Sequence, residues 1–127
     1  MSRIMIIDDT LQYLELMATV LTSRGHTVIT RSQAEDAIEA VWLAAPDLLI
    51  LDAQLGEASG FDIIAQLMQT EATRDLRILV CTAEGVEGGN GSEALLEQYG
   101  HHLLPKPFEL ATFLAKVDEI LGTPASG

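Results

Sequence analysis

Along this chain, short runs of β-branched and aliphatic residues alternate with longer stretches in which apolar positions recur every three or four residues. Five runs predict strands: Arg3 to Ile7, Thr27 to Thr30, Leu48 to Leu51, Ile78 to Cys81 and His102 to Leu104. Three of these are apolar on both faces, as a sheet covered by helices on each side requires. Between them, Leu11, Leu14, Ala18 and Leu21 fall at helical spacing, with Gly25 as the expected stop. Ser32 and Glu35 have the spacing of a capping box, and Ala34, Ile38, Val41 and Ala45 form a core-facing stripe that Pro46 ends. Trp42 borders that stripe as a packing residue. Phe61, Ile64 and Leu67 or Met68 serve a third helix, and Leu110, Phe113, Val117 and Ile120 or Leu121 serve the last. Between these two, Glu84 to Ser92 holds four glycines, which favour a mobile loop, before a short helix from Glu93 to Tyr99. Regular alternation of strand and helix is the sign of βαβ units, hence of an α/β fold with a parallel sheet.

Length and charge narrow the possibilities. The 127 residues suffice for one compact domain but not two. We expect it to occupy residues 1–122, with 123–127 (TPASG) a flexible tail or the stump of a linker. The net charge of −12, from 19 acidic and 7 basic residues, opposes the phosphate contacts that dominate nucleic-acid binding, so no direct nucleic-acid contact is expected. No apolar block reaches the roughly 18 residues of a membrane span, and the start MSRIMIIDD turns acidic too soon for a secretory signal, so a cytoplasmic location is expected. Cys81, in the run ILVC, cannot form an internal disulfide and is expected as a small buried hydrophobe. No glycine pattern of a dinucleotide site and no Walker-type lysine is present.

In an open α/β sheet, ligands bind beyond the carboxyl ends of the strands, so the polar residues that follow strands carry the chemistry. Asp8 and Asp9 follow the first strand, Asp52 the third, Thr82 the fourth and Lys106 the fifth. Singly, each has a structural explanation: Asp9 or Thr10 caps a helix, Asp52 opens a turn, Thr82 starts a loop, Lys106 is solvated. Together they matter more, because right-handed crossovers in a parallel sheet bring all of these ends to one edge. Three carboxylates crowded there repel one another, so one is protonated or a cation holds them, and Mg²⁺ (or Mn²⁺) suits a site of carboxylates, water and phosphate oxygens. Asp52 would then attack a phosphorus atom in line. The cation and the Lys106 ammonium would offset charge on the transferred group, and Thr82 would donate a hydroxyl hydrogen bond.

With these residues in place the chain resembles, over nearly its whole length, the receiver domain of bacterial two-component response regulators. The matching pieces are IMIIDD, PDLLILD, Gly60 eight residues after Asp52, VCTAE and LPKPF. The resemblance implies a flavodoxin-like (βα)5 three-layer sandwich with strand order 2-1-3-4-5. It implies Asp52 as phosphoacceptor, Asp8, Asp9 and Asp52 as metal ligands, and a backbone carbonyl of Gln54 on the same metal. Thr82 is similar to the switch hydroxyl, Ala83 to the small residue beside it, and Lys106 to the phosphate-binding lysine before a cis Pro107. A histidine kinase or histidine phosphotransfer protein as donor, a downstream protein target, and a homodimer through the face of the fourth helix, fifth strand and fifth helix are implied partners. Such a domain is a signalling module rather than a turnover enzyme, catalysing only transfer to, and hydrolysis from, its own aspartate.

Three departures stand out. Gly56 occupies the position where the family usually has proline, which loosens the loop. Leu103 replaces the aromatic that usually responds to phosphorylation. The segment between Thr82 and Lys106 is longer than usual and glycine-rich, and Tyr99, its nearest aromatic, is expected to pack at a helix end. His101 and His102 make a poor metal pair because neighbours on a strand face opposite ways, and His26 shows no partner. Two other classes compete. A phosphorylation-independent pseudo-receiver that only binds partners would not need the intact acidic pair, acceptor, threonine and lysine. A dehalogenase-like phosphatase would want a second aspartate two residues after the first, where this chain has Gln54.

Overall fold

The computed structural model describes residues 2–83 and 102–122. In chain order they form β1 (Arg3–Ile7), α1 (Leu11–Ser23), β2 (Thr27–Arg31), α2 (Ala37–Ala44), β3 (Leu48–Asp52), β4 (Gln54–Leu55), β5 (Ala58–Ser59), α3 (Gly60–Met68), β6 (Arg77–Ala83), β7 (His102–Lys106) and α4 (Leu110–Leu121). Five strands make one sheet in the order β2-β1-β3-β6-β7, every neighbour parallel, while β4 and β5 form a separate antiparallel pair. With the small pair set aside this is the 2-1-3-4-5 order of the flavodoxin-like fold. The predicted strands all appear, and four of them run one or two residues further towards the site edge. The glycine-rich loop from Glu84 to Ser92, the helix from Glu93 to Tyr99, Tyr99, His101 and the tail 123–127 lie outside the described residues.

Successive strand side chains point to opposite faces, and this period of two divides the core. Met5, Ile7, Leu49, Leu51, Ile78 and Val80 face α2 and α3, against Val41, Ile64 and Leu67. Ile4, Ile6, Leu48, Ile50, Leu79 and Cys81 face α1 and α4, against Met17, Leu21, Phe113 and Val117. The central strands are therefore apolar along the stretches covered on both faces, 4–7, 48–51 and 78–81. Among the described residues, no helix is long and apolar enough to cross a membrane.

Three corrections apply to the helix reading and one to a histidine. Helix α1 buries Leu14, Met17 and Leu21, whereas Leu11 is 60% exposed. In α4, Phe113 and Val117 are buried and Leu110 is 38% exposed. Both exposed leucines open a helix just past the carboxyl end of a strand, where the first turn overhangs the sheet edge and has little to pack on. The Ser32–Glu35 capping box does not form. Arg31 donates from Nη2 to the Glu35 carbonyl, Asp36 turns into the left-handed region (φ 57°), which aspartate tolerates, and α2 begins only at Ala37. His26 does have a partner, since its Nδ1 accepts the Ser2 amide at 3.1 Å.

With the helix faces divided this way, Phe113→Ala should cost about 3–5 kcal/mol and Leu110→Ala less than about 1 kcal/mol. Urea unfolding of both variants checks this, and equal losses would contradict the assignment of the buried face.

Candidate functional site

The carboxyl ends of β1, β3 and β7 bring Asp8, Asp52 and Lys106 into contact. The Lys106 ammonium lies 2.8 Å from Asp8 Oδ2 and 3.4 Å from Asp52 Oδ2, with its side chain only 11% exposed. Asp8 and Asp52 are themselves buried, at 1% and 7% exposure. Their other oxygens are also engaged: Asp8 Oδ1 accepts the Thr10 amide at 2.8 Å, and Asp52 Oδ1 accepts the Gln54 amide at 3.2 Å. Neither Asp9 nor the Thr10 side chain caps α1. The Thr10 residue stands at the cap, and it is the Asp8 carboxylate that shapes the turn into the helix.

Asp9 is exposed and reaches the cluster from outside. Its Oδ2 accepts the Gly56 amide at 2.9 Å. Asp8, Asp9 and Asp52 each offer an oxygen, and these lie within 4.8 Å of one another. Three carboxylate oxygens so close are a donor set for a hard divalent cation, which prefers oxygen ligands. Thr82 is buried beside them on β6, in register with Pro105, and the adjacent Cys81 pairs with Asp52. The Lys106–Pro107 peptide is cis, as the resemblance implied. Gln54 opens the β4–β5 pair, and the contacts it makes here run through its amide and its side chain, whose Nε2 donates to the Gly56 carbonyl at 3.4 Å.

The electrostatics follow from burial. Removal from water pushes the Asp52 carboxyl from an ordinary 3.8 up to about 6; the neighbouring Asp8 adds to the rise, while the Gln54 amide and Lys106 oppose it. Burial alone would pull Lys106 down, but Asp8 and Asp52 outweigh it and hold the ammonium above its usual value. The Cys81 thiol is pushed up to about 12 by burial, in keeping with a packed hydrophobe.

Two glycines shape the floor and lid. At Gly60 a Cβ would collide with the Asp52 carbonyl oxygen and lie 3.1 Å from Ala53 Cα, so only glycine lets α3 start against the Asp52 backbone; its amide donates to the Ala53 carbonyl at 2.8 Å. Gly56 does not loosen its loop. With φ +62° it is the first of two residues linking β4 to β5, the position at which a tight hairpin favours glycine, and its amide ties the hairpin to Asp9. Leu103 is half-buried against the α2 and α3 face. Sequence reasoning passed over Tyr13, whose ring centroid lies 4.3 Å from Lys106 Nζ. Apart from its place near the start of α1, no local signal marks it.

A family profile described as the response regulator receiver domain matches residues 4–118. The DNA-binding dual master transcriptional regulator RpaA of Synechocystis is 34% identical over 126 residues, covering 95% of this chain and 49% of that protein. The response regulator MprA of Mycobacterium ulcerans is 33% identical, covering 94% and 50%. The chain thus spans about half the length of these curated relatives. Among solved structures, the non-phosphorylated HemR receiver domain of Leptospira biflexa matches with a TM-score of 0.83 at 24% identity, covering 95% of this chain and 94% of that one. The chemotaxis protein CheY4 of Vibrio cholerae matches with 0.81 at 19%, covering 94% and 98%. At these identities the two structures speak for the fold alone.

Two outcomes are expected of this geometry. Without metal, the folded protein holds more protons than the unfolded chain between pH 3.8 and about 6, so the Asp52 contribution to stability falls as pH rises through that window and stays low above it. The loss is at most about 3 kcal/mol. Urea titrations in EDTA should show it as the difference between wild type and Asp52→Asn, and a flat difference across the window would contradict the buried carboxylate. Gly60→Ala should lower stability by about 2 kcal/mol or more, since the obstacle is backbone and cannot swing aside. A wild-type melting temperature would show that α3 has room to move.

Proposed function

This chain belongs to the response regulator receiver domain family, and from that premise we propose that it accepts a phosphoryl group on Asp52 from a histidine kinase or histidine phosphotransfer protein. The observation that carries the reading is the position of Asp52, whose carboxylate shares one cluster with Asp8 and Asp9 and faces the Lys106 ammonium that also pairs with Asp8. An Asp52 carboxylate oxygen attacks phosphorus, the bond from phosphorus to the donor's imidazole nitrogen breaks, and that nitrogen keeps the electron pair. The product is an acyl phosphate on Asp52, which water later hydrolyses. The donor is consumed one equivalent at a time, as befits a signalling module.

Asp52 must be ionised to attack. In this reading Asp8, Asp9 and Asp52, with the Gln54 backbone carbonyl, hold Mg²⁺ or Mn²⁺. Bound there, the ion supplies positive charge that lets three carboxylates coexist and offsets the phosphoryl oxygens. Lys106 turns its ammonium from Asp8 towards the new phosphoryl oxygens, and the Thr82 hydroxyl donates to one of them, which couples the event to β6. The complete set of acidic pair, acceptor, threonine and lysine favours this over a pseudo-receiver that only binds partners.

The change then passes to a downstream protein partner, in a cytoplasmic setting, with residues 1–122 as the receiver. The case against nucleic-acid contact concerns only these residues, whose charge is −12. Relatives about twice as long include a DNA-binding regulator, so that absence does not extend to a longer protein.

Incubation with acetyl phosphate and Mg²⁺, read by intact mass, should add one acid-stable, base-labile phosphoryl group. EDTA or Asp52→Asn should abolish it, and Lys106→Ala should slow it more than Thr82→Ala, since the ammonium faces the transferred group and the hydroxyl adds a single hydrogen bond. Wild-type labelling of Asp52→Asn would overturn the assignment.

A further inference from the structure

We propose that Tyr13 is a positioning residue for Lys106, its ring face holding the ammonium between Asp8 and Asp52 in the approach that phosphoryl transfer needs. The inference rests on the reading of Lys106 given above and deepens it. An ammonium has three N–H groups. Asp8 Oδ2 and Asp52 Oδ2 take two directions, at 2.8 and 3.4 Å, and the Tyr13 ring stands in a third, with its centroid 4.3 Å from Nζ. With the lysine side chain 11% exposed, the negative face of the ring does there what water does for a surface lysine.

The ring is itself braced. Tyr13 packs on Phe108 with centroids 5.3 Å apart and planes tilted by 50°, and Phe108 stacks on Phe113 at 5.4 Å and 17°. Phe113 is fully buried between α4 and the sheet. Phe108 follows Lys106 by two residues, so a single turn carries both the lysine and the ring on which its aromatic partner rests. Lys106 is thus held at its backbone by β7 and at its head by a column of rings anchored in the core.

Such support matters because a lysine stem is flexible and Asp8 is the closer carboxylate. Without the ring, the ammonium is free to settle on Asp8 and leave Asp52. A π face also attracts charge with little directional demand, so the ammonium keeps that contact while its hydrogen bonds turn from Asp8 to phosphoryl oxygens. Hydrogen bonds to a fixed polar partner would have to break.

The test uses the full chain, wild type, Tyr13→Phe and Tyr13→Leu. In the unphosphorylated protein, NMR should find the Lys106 ε-methylene protons moved upfield by the ring in wild type and Tyr13→Phe, and returned to ordinary positions in Tyr13→Leu. With saturating Mg²⁺, the maximal rate of Asp52 labelling by acetyl phosphate should fall about tenfold in Tyr13→Leu. It should stay within about threefold in Tyr13→Phe, while the acetyl phosphate concentration at half-maximal rate changes little. An unshifted Lys106 signal in wild type, or a wild-type rate in Tyr13→Leu, overturns the proposal. Should wild type take no label at all, the proposed function fails instead, and the NMR signal still decides the role of Tyr13 whether or not Tyr13→Leu folds.

Discussion

The contact on which the site depends is the ion pair of Lys106 with Asp8 and Asp52, made at the edge where three strands end. Two aspartates that are almost wholly withdrawn from water would be prohibitive without a compensating charge, because a buried carboxylate loses hydration that only a cation or several donors can replace. One ammonium compensates for both only in part, which is why burial still drives Asp52 up to about 6. The incomplete balance gives the site its chemical character. Full compensation would leave Asp52 an ordinary carboxylate, and none would hold its proton more tightly still.

Everything beneath that contact serves to hold three strand ends level. The sheet does this by being apolar on both sides, so that β1, β3 and β6 are clamped between α2 and α3 on one face and α1 and α4 on the other, while β7 pairs along β6. Register then transmits the placement: Ile7 sits opposite Leu51, Asp52 opposite Cys81, and Ala83 opposite Lys106. A slip of one residue in any pairing would turn every side chain of that strand to the other face. The chemistry at the edge is therefore secured by hydrophobic packing several residues away.

Backbone details complete the arrangement. Gly60 brings the first turn of α3 against the Asp52 carbonyl, and the β4–β5 hairpin lays its Gly56 amide on Asp9. These are placements of main chain rather than of functional groups. Where the family usually has proline, Gly56 offers Asp9 an amide that proline could not supply, having no N–H.

The sequence by itself determined the fold class, the strand order once the resemblance was recognised, and the five residues Asp8, Asp9, Asp52, Thr82 and Lys106 as the polar groups that follow strands. These were legible because strand period, helix period and the position of a polar residue just after an apolar run are all local properties of the chain. The tertiary structure alone decided which helix positions are buried, as Leu11 and Leu110 show, because exposure in a first turn depends on where the sheet edge lies. It decided that the Ser32 capping box yields to a turn at Asp36, and that His26 is paired with the Ser2 amide. It also placed Tyr13 over Lys106 and Gly56 beside Asp9. The last three couple residues far apart in the chain, and such a distance closes only when the packed sheet has fixed where every strand end and every first helical turn must stand.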